Sequence, residues 1–236
     1  MSASLTVAKR EIKSYFNSPV AYIVVTVFML IAGFLYWRQL FLEKQIELRY
    51  YFGLTPLIFT FILPAITMRL ISEEKGSGTL EMLITMPVRD WEVVLGKFLA
   101  GMAMLSAIVG MTMFYGVTLA LLGPVDKGPL VTGYLGLLLM GGAYIAIGVM
   151  ASALTRNQIV AFILAFAISF ALFIFGQIVS YMPDWLAPVL SFLSTGNHFE
   201  SMSRGVVDSR DVVYYLSVMV VSLVIATASL ESRKWK

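Results

Sequence analysis

The chain has 236 residues, of which 59% are hydrophobic and only 13% are charged. Soluble domains average about half apolar and about a quarter charged residues. This composition, with a mean hydropathy of +0.85, therefore excludes a soluble globular domain and a disordered chain, and it indicates an integral membrane protein. The net charge of +3 gives no support for nucleic-acid binding, and the lack of cysteine with a single histidine excludes disulfides and a multi-histidine metal site within the chain.

Six stretches of 19 to 28 residues contain no Asp, Glu, Lys or Arg. Each is long enough to cross the ~30 Å hydrocarbon core as a helix, which takes about 20 residues. The stretches do not alternate between polar and apolar residues as membrane β-strands do. We therefore predict an all-α polytopic membrane protein that forms a single transmembrane domain over residues 1–236. The expected spans are residues 20–38, 50–70, 92–122, 131–154, 158–180 and 212–230.

Six spans put both termini on the same side of the membrane, and the basic residues indicate which side. The N-terminus, the 69–97 loop, the turn at Arg156 and the C-terminus together hold 11 of the 17 Lys and Arg residues. The positive-inside rule therefore predicts that both termini are cytoplasmic. The charge-free stretches also disfavour a proton- or ion-driven carrier, which normally holds ionisable residues within its spans. No Walker A motif is present, so the chain does not bind ATP through such a loop.

Apolar residues recur at three- and four-residue steps before the first span, and basic residues lie on the other faces. The apolar residues are Leu5, Ala8, Ile12 and Tyr15, and the basic residues are Lys9, Arg10 and Lys13. This pattern predicts a short amphipathic helix at the cytoplasmic membrane surface. An ordinary charged flank of the first span is the alternative interpretation.

The segment between the fifth and sixth spans, residues 181–211, is too long for a simple turn and too apolar for a free loop. Pro183 and Pro188 lie on either side of a possible helix start in this apolar run. We predict an outward-facing pair of short helices near the membrane surface before the last span, and whether the pair is re-entrant stays open. The single histidine, His198, lies in this segment, and its isolation favours a surface or capping residue over a ligand or a pH sensor.

In the 69–97 loop, Glu73, Glu74 and Lys75 are expected to end a helix in water, and the residues after them contain the signals that begin and end another short helix. Gly76 and Gly78 are turn residues, and Thr79 can cap the helix that follows them. Pro87 ends that helix. The helix would have about two turns and a length of about 10 Å, which is too short for stability on its own in water.

This short helix would cover residues 80–86 and present an apolar ridge of Leu80, Leu83 and Ile84. Glu81 would lie in its first turn, where the helix dipole favours a carboxylate. An exposed apolar ridge suits docking into a groove of another protein. A helix resting on the membrane surface would have the same pattern, so the residues alone leave both interpretations open.

Several short motifs are spread along the chain. The second span and the loop after it contain the first set: Ala65-Ile-Thr-Met-Arg69, Glu73-Glu-Lys, Gly78-Thr-Leu-Glu81, Leu83 and Pro87. Further motifs are Asn17-Ser-Pro-Val-Ala-Tyr22, His198-Phe199, Arg204-Gly-Val-Val207, Arg210-Asp-Val-Val-Tyr214 and Leu230-Glu-Ser-Arg-Lys-Trp235. The first set resembles the signature of type-2 ABC exporter permeases. Both sets together resemble the permease of gliding-motility-associated ABC transporters over essentially the whole chain.

The resemblance implies a dimer of six-span halves in which residues 80–86 form a cytoplasmic coupling helix that seats in a separate ATPase. The N-terminal helix would be the connecting helix, and the 181–211 pair would cap the translocation path. The implied ATPase-coupling residues are Glu73, Glu74, Gly78, Thr79, Leu80, Glu81, Leu83, Ile84 and Pro87. A second cytoplasmic contact would comprise Arg156, Asn157 and Gln158, and the connecting helix would contribute Lys9, Arg10, Ile12 and Lys13. Solvated helix-end charges are the alternative for Glu73 and Glu74.

The resemblance also implies the partners. The chain would hold no catalytic residue, metal or cofactor, and ATP and Mg would bind two copies of the ATPase. Further expected partners are a second permease half, identical or different, an auxiliary subunit with an extracytoplasmic domain, and the lipid bilayer of a bacterial inner membrane, with no nucleic acid. Two other functions stay open: a membrane anchor that transmits ATPase closure as force and moves no substrate, and a carrier or channel that works without ATP.

Overall fold

The structure is a computed structural model that describes residues 3–44, 47–79 and 89–232. Within these residues all regular structure is helical, and six helices are long and apolar enough to cross a membrane. This confirms the predicted all-α polytopic fold with six spans. The predicted coupling helix, residues 80–86, lies outside the described residues.

The chain order of the described helices matches the predicted order of spans and short helices. The α-helices are α1 (Ala3–Asn17), α2 (Pro19–Arg38), α3 (Arg49–Thr67), α4 (Arg69–Ser77), α5 (Asp90–Leu122), α6 (Lys127–Leu154), α7 (Gln158–Ile178), α8 (Ala187–Leu193), α9 (Thr195–Ser203) and α10 (Ser209–Glu231). A π-helical segment, Gln39–Glu43, extends α2, and a 3-10 turn, Val179–Tyr181, follows α7. The span helices are α2, α3, α5, α6, α7 and α10.

Three of the spans begin at residues whose side chains accept hydrogen bonds from the first turn. The carboxylate of Asp126 accepts from a backbone N–H of α6 at 3.0 Å, and the amide oxygen of Asn157 accepts from α7 at 2.8 Å. The carboxylate of Asp208 does the same for α10 at 2.9 Å. These side chains satisfy backbone donors that have no partner within the helix, so they fix where each helix starts.

Helix α6 lies at the centre of the bundle. Helices α3, α5, α7 and α10 pack around it, and α4 and α9 also contact it. Most of α6 is buried, whereas α7, which is the most apolar span, is mostly exposed. The apolar surfaces of α7 and α10 therefore face the membrane or another protein.

The buried face of α1 differs in part from the predicted one. Leu5, which was expected on the apolar face, is 50% exposed, while Ser4 and Val7 are buried. The cause is the packing of α1 along the start of α5, where a Cβ on Gly96 would lie 2.7 Å from the Ser4 carbonyl oxygen and from Val7. Tyr15 is buried as expected.

The two short helices between the last two spans form a hairpin whose tip is inserted among the spans. Its tip residues, Ser194 and Thr195, are fully buried. Thr195 Oγ1 lies 2.7 Å from the hydroxyl of Tyr144 on α6, and its carbonyl oxygen accepts a hydrogen bond of 2.7 Å from Tyr215 on α10. The predicted helical pair is therefore present, and its tip packs among α6, α7 and α10 instead of resting on their ends.

His198 in this hairpin is largely buried, so the surface half of the interpretation from its isolation is wrong, whereas its contact with a carbonyl oxygen in the last turn of α8 fits the capping half. Its side chain is only 11% exposed, and its ring stacks on Tyr214 with centroids 4.1 Å apart. Its Nδ1 lies 2.6 Å from Oδ1 of Asp211, and its Nε2 lies 2.9 Å from the carbonyl oxygen of Phe192. Insertion of the hairpin buries the ring, because it brings α9 against α10.

Candidate functional site

Helix α4 lies between α1 and the turn that follows α6. On one side, Arg10 Nη2 on α1 is 3.0 Å from Glu74 Oε1 on α4. On the other side, a Cβ on Gly76 would lie 3.0 Å from the carbonyl oxygen of Arg156. Gly76 was predicted to lie in a turn, but it belongs to the last turn of α4. The structure thus brings together three segments that are far apart in the sequence and that the family resemblance assigns to contacts with an ATPase.

Four charged side chains join α1, α4 and α5, and we name them the ion cluster: Arg10, Glu11, Glu74 and Lys97. The ammonium of Lys97 lies 2.9 Å from Glu74 Oε2 and 3.2 Å from Glu11 Oε1, and it also donates to the carbonyl oxygen of Leu70. Arg10 Nη2 lies 2.9 Å from Glu11 Oε1. Each carboxylate therefore contacts both cations, so the cluster connects the three helices in more than one way.

The ion cluster balances two positive charges with two negative charges, and this explains how Lys97 can be buried. The side chain of Lys97 is 1% exposed, and those of Glu11 and Glu74 are 14% and 18% exposed. A buried ammonium without such partners would carry a large desolvation cost. Partial burial by itself lowers the pKa of Arg10, but the hydrogen bonds and negative charges of the two glutamates raise it above its ordinary value.

Helix α4 is also bonded to the central helix α6. The hydroxyl of Ser152, which is fully buried on α6, accepts hydrogen bonds of 2.9 Å from the backbone N–H groups of Ile71 and Ser72. The same hydroxyl donates to the carbonyl oxygen of Met68 at 2.9 Å. Because one hydroxyl serves three backbone groups at the start of α4, the position of α4 is fixed against α6.

The three charged residues predicted to end a helix in water have different surroundings. Glu73 is exposed, in agreement with that expectation. Glu74 belongs to the ion cluster, and Lys75 is 6% exposed and donates to the carbonyl oxygen of Ala153 on α6. The expectation is therefore wrong for Glu74 and Lys75, because α4 packs against the bundle instead of extending into solvent.

Helix α4 ends at Gly78, whose φ of 75° lies in the left-handed region that glycine adopts at low cost. The next residue, Thr79, is exposed, and its hydroxyl lies 2.9 Å from that of Ser77. The other predicted coupling residues, Leu80, Glu81, Leu83, Ile84 and Pro87, lie outside the described residues.

The remaining predicted contact residues are mostly at the surface. In the turn after α6, Arg156 and Asn157 are exposed and Gln158 is half-buried. On α1, Lys9, Arg10 and Lys13 are exposed, and Ile12 is half-buried against the core. Three of the four predicted α1 residues therefore remain accessible to a partner.

Arg69 and Tyr15 connect α1 to the junction of α3 and α4. The hydroxyl of Tyr15 donates to the carbonyl oxygen of Ile66 at 3.0 Å, and burial raises the pKa of Tyr15 above its ordinary value, which keeps the hydroxyl protonated. The guanidinium of Arg69 lies 5.5 Å from the centre of the Tyr15 ring and donates to the hydroxyl of Ser18 at 2.9 Å. Tyr15 and Arg69 line a cleft of about 390 Å³ between α1 and α4.

Sequence reasoning assigned no role to Glu11, Arg69 or Lys97. One signal was available for Lys97, because it lies three residues from both Val94 and Ala100, which are buried on the same face of α5. A lysine on the buried face of a predicted helix indicates a paired charge. The partners of Lys97 could not be read from the sequence, since they come from two other helices.

A comparison with protein-family models finds a match to the ABC-2 family transporter protein over residues 20–229. The chain belongs to the ABC-2 transporter family. It is therefore a multi-pass membrane permease of the ABC transporter class, which implies an ABC ATPase as its partner. A search of curated proteins finds no match. The family confirms the ABC permease part of the resemblance, and the gliding-motility subgroup stays a prediction.

Proposed function

We propose that the chain is the permease subunit of an ATP-driven ABC exporter of the gliding-motility-associated type. A separate ATPase subunit binds ATP and Mg and hydrolyses ATP, while the permease itself catalyses no reaction. The complex contains two permease halves, identical or different, and two ATPases, with an auxiliary subunit that supplies an extracytoplasmic domain. Both termini lie in the cytoplasm of a bacterium, and the distribution of 11 of 17 basic residues supports this orientation.

The observation that carries the proposal is the double attachment of α4 to the spans. Helix α4 leads directly into residues 80–86, the segment that we assign to the ATPase. It is bonded to α5 through Lys97 and to α6 through Ser152. A displacement of the ATPase-bound segment would therefore act on two spans together, which is what conversion of ATPase closure into a change of the permease requires.

The pairing of the glutamates separates their roles. Glu74 is paired with Lys97 and Arg10 inside the chain, so it serves to hold α4 in place. Glu73 is exposed on the same helix. We therefore assign Glu73, and not Glu74, to the contact with a basic residue of the ATPase.

Co-purification tests the proposal. The tagged full chain is expressed with the ABC ATPase encoded beside it, and the complex is isolated in detergent. We expect the ATPase to co-purify and to be released by Leu83→Arg or Glu81→Arg. The matched control, Glu47→Arg, changes an exposed glutamate before the first turn of α3, at the opposite end of that helix from α4, and should retain the ATPase.

Two results would contradict the proposal. The first is a chain that never forms a complex with an ATPase and that transports without ATP, which would favour the carrier or channel alternative. The second is equal loss of the ATPase in the Leu83→Arg and Glu47→Arg variants, which would mean that the loop after α4 is not the contact.

A further inference from the structure

A cavity of about 950 Å³ lies between α7 and α10. Both helices pack on α6, and Ile147 and Met150 of α6 line the cavity between them. Its walls are apolar, and wall residues such as Val213 and Val221 are 59% and 57% exposed. Because these helices are spans, the acyl chain of a membrane lipid can fill the cavity, and a second copy of the chain is the competing occupant that the test distinguishes.

One end of this cavity is polar. His198, Asp208, Arg210 and Asp211 line it there, next to the hairpin. The cavity continues along α10 as far as Ile225, 14 residues beyond Asp211, or about 21 Å at 1.5 Å per residue. One leaflet of a bilayer has about 15 Å of hydrocarbon, half of the ~30 Å core. The cavity is thus long enough for an acyl chain, and its charged side chains lie only where a headgroup would lie, while Ser217 and Ser222 are the polar residues farther along its α10 wall.

Asp211 has an unsatisfied oxygen at this polar end. The residue is only 6% exposed, and its Oδ1 pairs with His198 at 2.6 Å. Its Oδ2 is buried and has no hydrogen-bond partner among the described residues. A buried carboxylate oxygen without a donor is costly. Because Asp211 lines this end of the cavity, a ligand group there that donates a hydrogen bond to Oδ2 would remove this cost, and a cationic donor suits it best.

Arg210 supplies the opposite charge. Its side chain lines the same end of the cavity, and within the described ranges its guanidinium forms no ion pair. The carboxylate of the adjacent Asp208 accepts the backbone N–H of Arg210 at 2.9 Å, where it caps α10. A guanidinium is suited to binding a phosphate, so a cation site and an anion site lie side by side above the apolar walls.

We propose that this cavity binds a phospholipid whose headgroup carries both a phosphate and a primary ammonium, such as phosphatidylethanolamine. The ammonium donates to Asp211 Oδ2, the phosphate accepts from Arg210, and an acyl chain lies between α7 and α10. The proposal does not depend on the proposed export function. A lipid with an anionic headgroup and no ammonium leaves Asp211 Oδ2 without a cationic donor, and a quaternary ammonium has no N–H to donate.

The test measures the lipids that stay bound to the full chain. The chain is reconstituted in vesicles that contain equal amounts of phosphatidylethanolamine, phosphatidylglycerol and phosphatidylcholine, then released into detergent and analysed by native mass spectrometry. We expect one phosphatidylethanolamine per chain, retained about tenfold more than either competitor, since one charged hydrogen bond of about 1.4 kcal/mol corresponds to tenfold in affinity.

Matched variants locate the binding. Arg210→Gln and Asp211→Asn remove one charge each and should reduce retention about tenfold, whereas Arg204→Gln, at an exposed arginine paired with Glu200, should not. Val221→Trp should reduce lipid retention, because it fills the cavity, and its exposed position means that the change does not disturb folding. Val220→Trp adds the same bulk at the neighbouring residue, which is 59% exposed and does not line this cavity.

Three outcomes would overturn the proposal. They are equal retention of the three lipids, equal retention by the Val221→Trp and Val220→Trp variants, and formation of a disulfide between two copies of a Val221→Cys variant. The chain has no cysteine, so such a disulfide would report only this position. It would mean that a second copy of the chain occupies the cavity.

Discussion

At the α4 end of the bundle, charged side chains hold the short helices to the spans, whereas at the hairpin end tyrosine hydroxyls hold the tip and His198 contacts Asp211 beside it. Lys97 and its glutamate partners join α1 and α4 to α5. At the hairpin, the hydroxyls of Tyr144 and Tyr215 bond to Thr195, and that of Tyr214 donates to the carbonyl oxygen of Leu193 at 2.6 Å. Both arrangements hold a short helix against the spans, but they differ in how readily one of their contacts can break.

The difference lies in the number of partners that each group can use. In the ion cluster, each carboxylate contacts two cations, so one contact can break while another remains. The hydroxyls of Tyr144 and Tyr215 at the hairpin each have one partner in a fully buried place, and its loss would leave a buried polar group unsatisfied. The contacts of the ion cluster can thus rearrange more readily than those of the hairpin tip, which fits the proposal that an ATPase acts through α4.

Lys97→Met should have the largest effect on stability. The change leaves Glu11 and Glu74 with Arg10 as their remaining cation, and breaking a buried ion pair costs about 3–5 kcal/mol. We expect a value near the lower limit of about 3 kcal/mol, because both glutamates are partly exposed and keep their contacts with Arg10. Thermal and denaturant unfolding of the full chain in detergent measures the loss.

The control for this prediction is Lys127→Met at the start of α6, where the lysine is exposed. It should change the free energy of unfolding by less than about 0.5 kcal/mol. Adding Glu74→Gln to Lys97→Met should restore part of the stability, since it removes one of the carboxylates left behind. If Lys97→Met were as stable as Lys127→Met, the ion cluster would not hold α4, and the comparison of the two ends would fail.

Tyr144→Phe should have an intermediate effect, and its size should not depend on salt. The change removes the partner of the buried Thr195 hydroxyl and should lower the free energy of unfolding by about 1–3 kcal/mol. Unfolding in low and high salt should give the same loss, because no ion is involved.

The matched control is Tyr22→Phe, at a tyrosine that is 57% exposed on α2, and it should change stability by less than about 0.5 kcal/mol. A salt-dependent loss in Tyr144→Phe would contradict the assignment of neutral hydrogen bonds to the hairpin end. A loss no larger than that of Tyr22→Phe would mean that the hairpin tip is held by other contacts.

The number of spans and the helical hairpin could be predicted from the sequence, since the thickness of the bilayer requires long uncharged stretches. The central position of α6 could not be predicted in this way. Helix α7 is the more apolar of the two and yet the more exposed, because apolar composition is equally suited to lipid and to protein neighbours. Which span is central depends on which helices pack against each other, and the hydropathy of a span carries no information about that.

The ion cluster shows a second limit of sequence reasoning. Glu11, Glu74 and Lys97 come from three helices, and only the fold brings the two carboxylates within 3.2 Å of the Lys97 ammonium. The motifs in the 69–97 loop predicted that a docking surface lies near α4, and the structure places α1 and the turn at Arg156 next to it. The sequence could not show that Glu74 and Lys75 are used within the chain, since the packing of α4 on α6 decides this.

Arg10→Ala should have the smallest effect, although Arg10 belongs to the same ion cluster as Lys97. Its side chain is 53% exposed, and exposed ion pairs contribute about 0–1 kcal/mol. We expect a loss below about 1 kcal/mol in low salt that becomes smaller in high salt, because ions screen exposed charges. Unfolding at two salt concentrations measures it, with Lys13→Ala, at an exposed lysine of the same helix, as the control.

The pair of variants Lys97→Met and Arg10→Ala then tests whether burial sets the strength of each contact. Both remove one cation from the same two glutamates, and the two cations differ in exposure, at 1% and 53%. If burial decides, Lys97→Met remains the more destabilising variant in high salt, and Arg10→Ala becomes similar to Lys13→Ala. Equal losses in high salt would instead mean that the two cations replace each other freely, and α4 would then have no fixed attachment to α5 through which an ATPase could act.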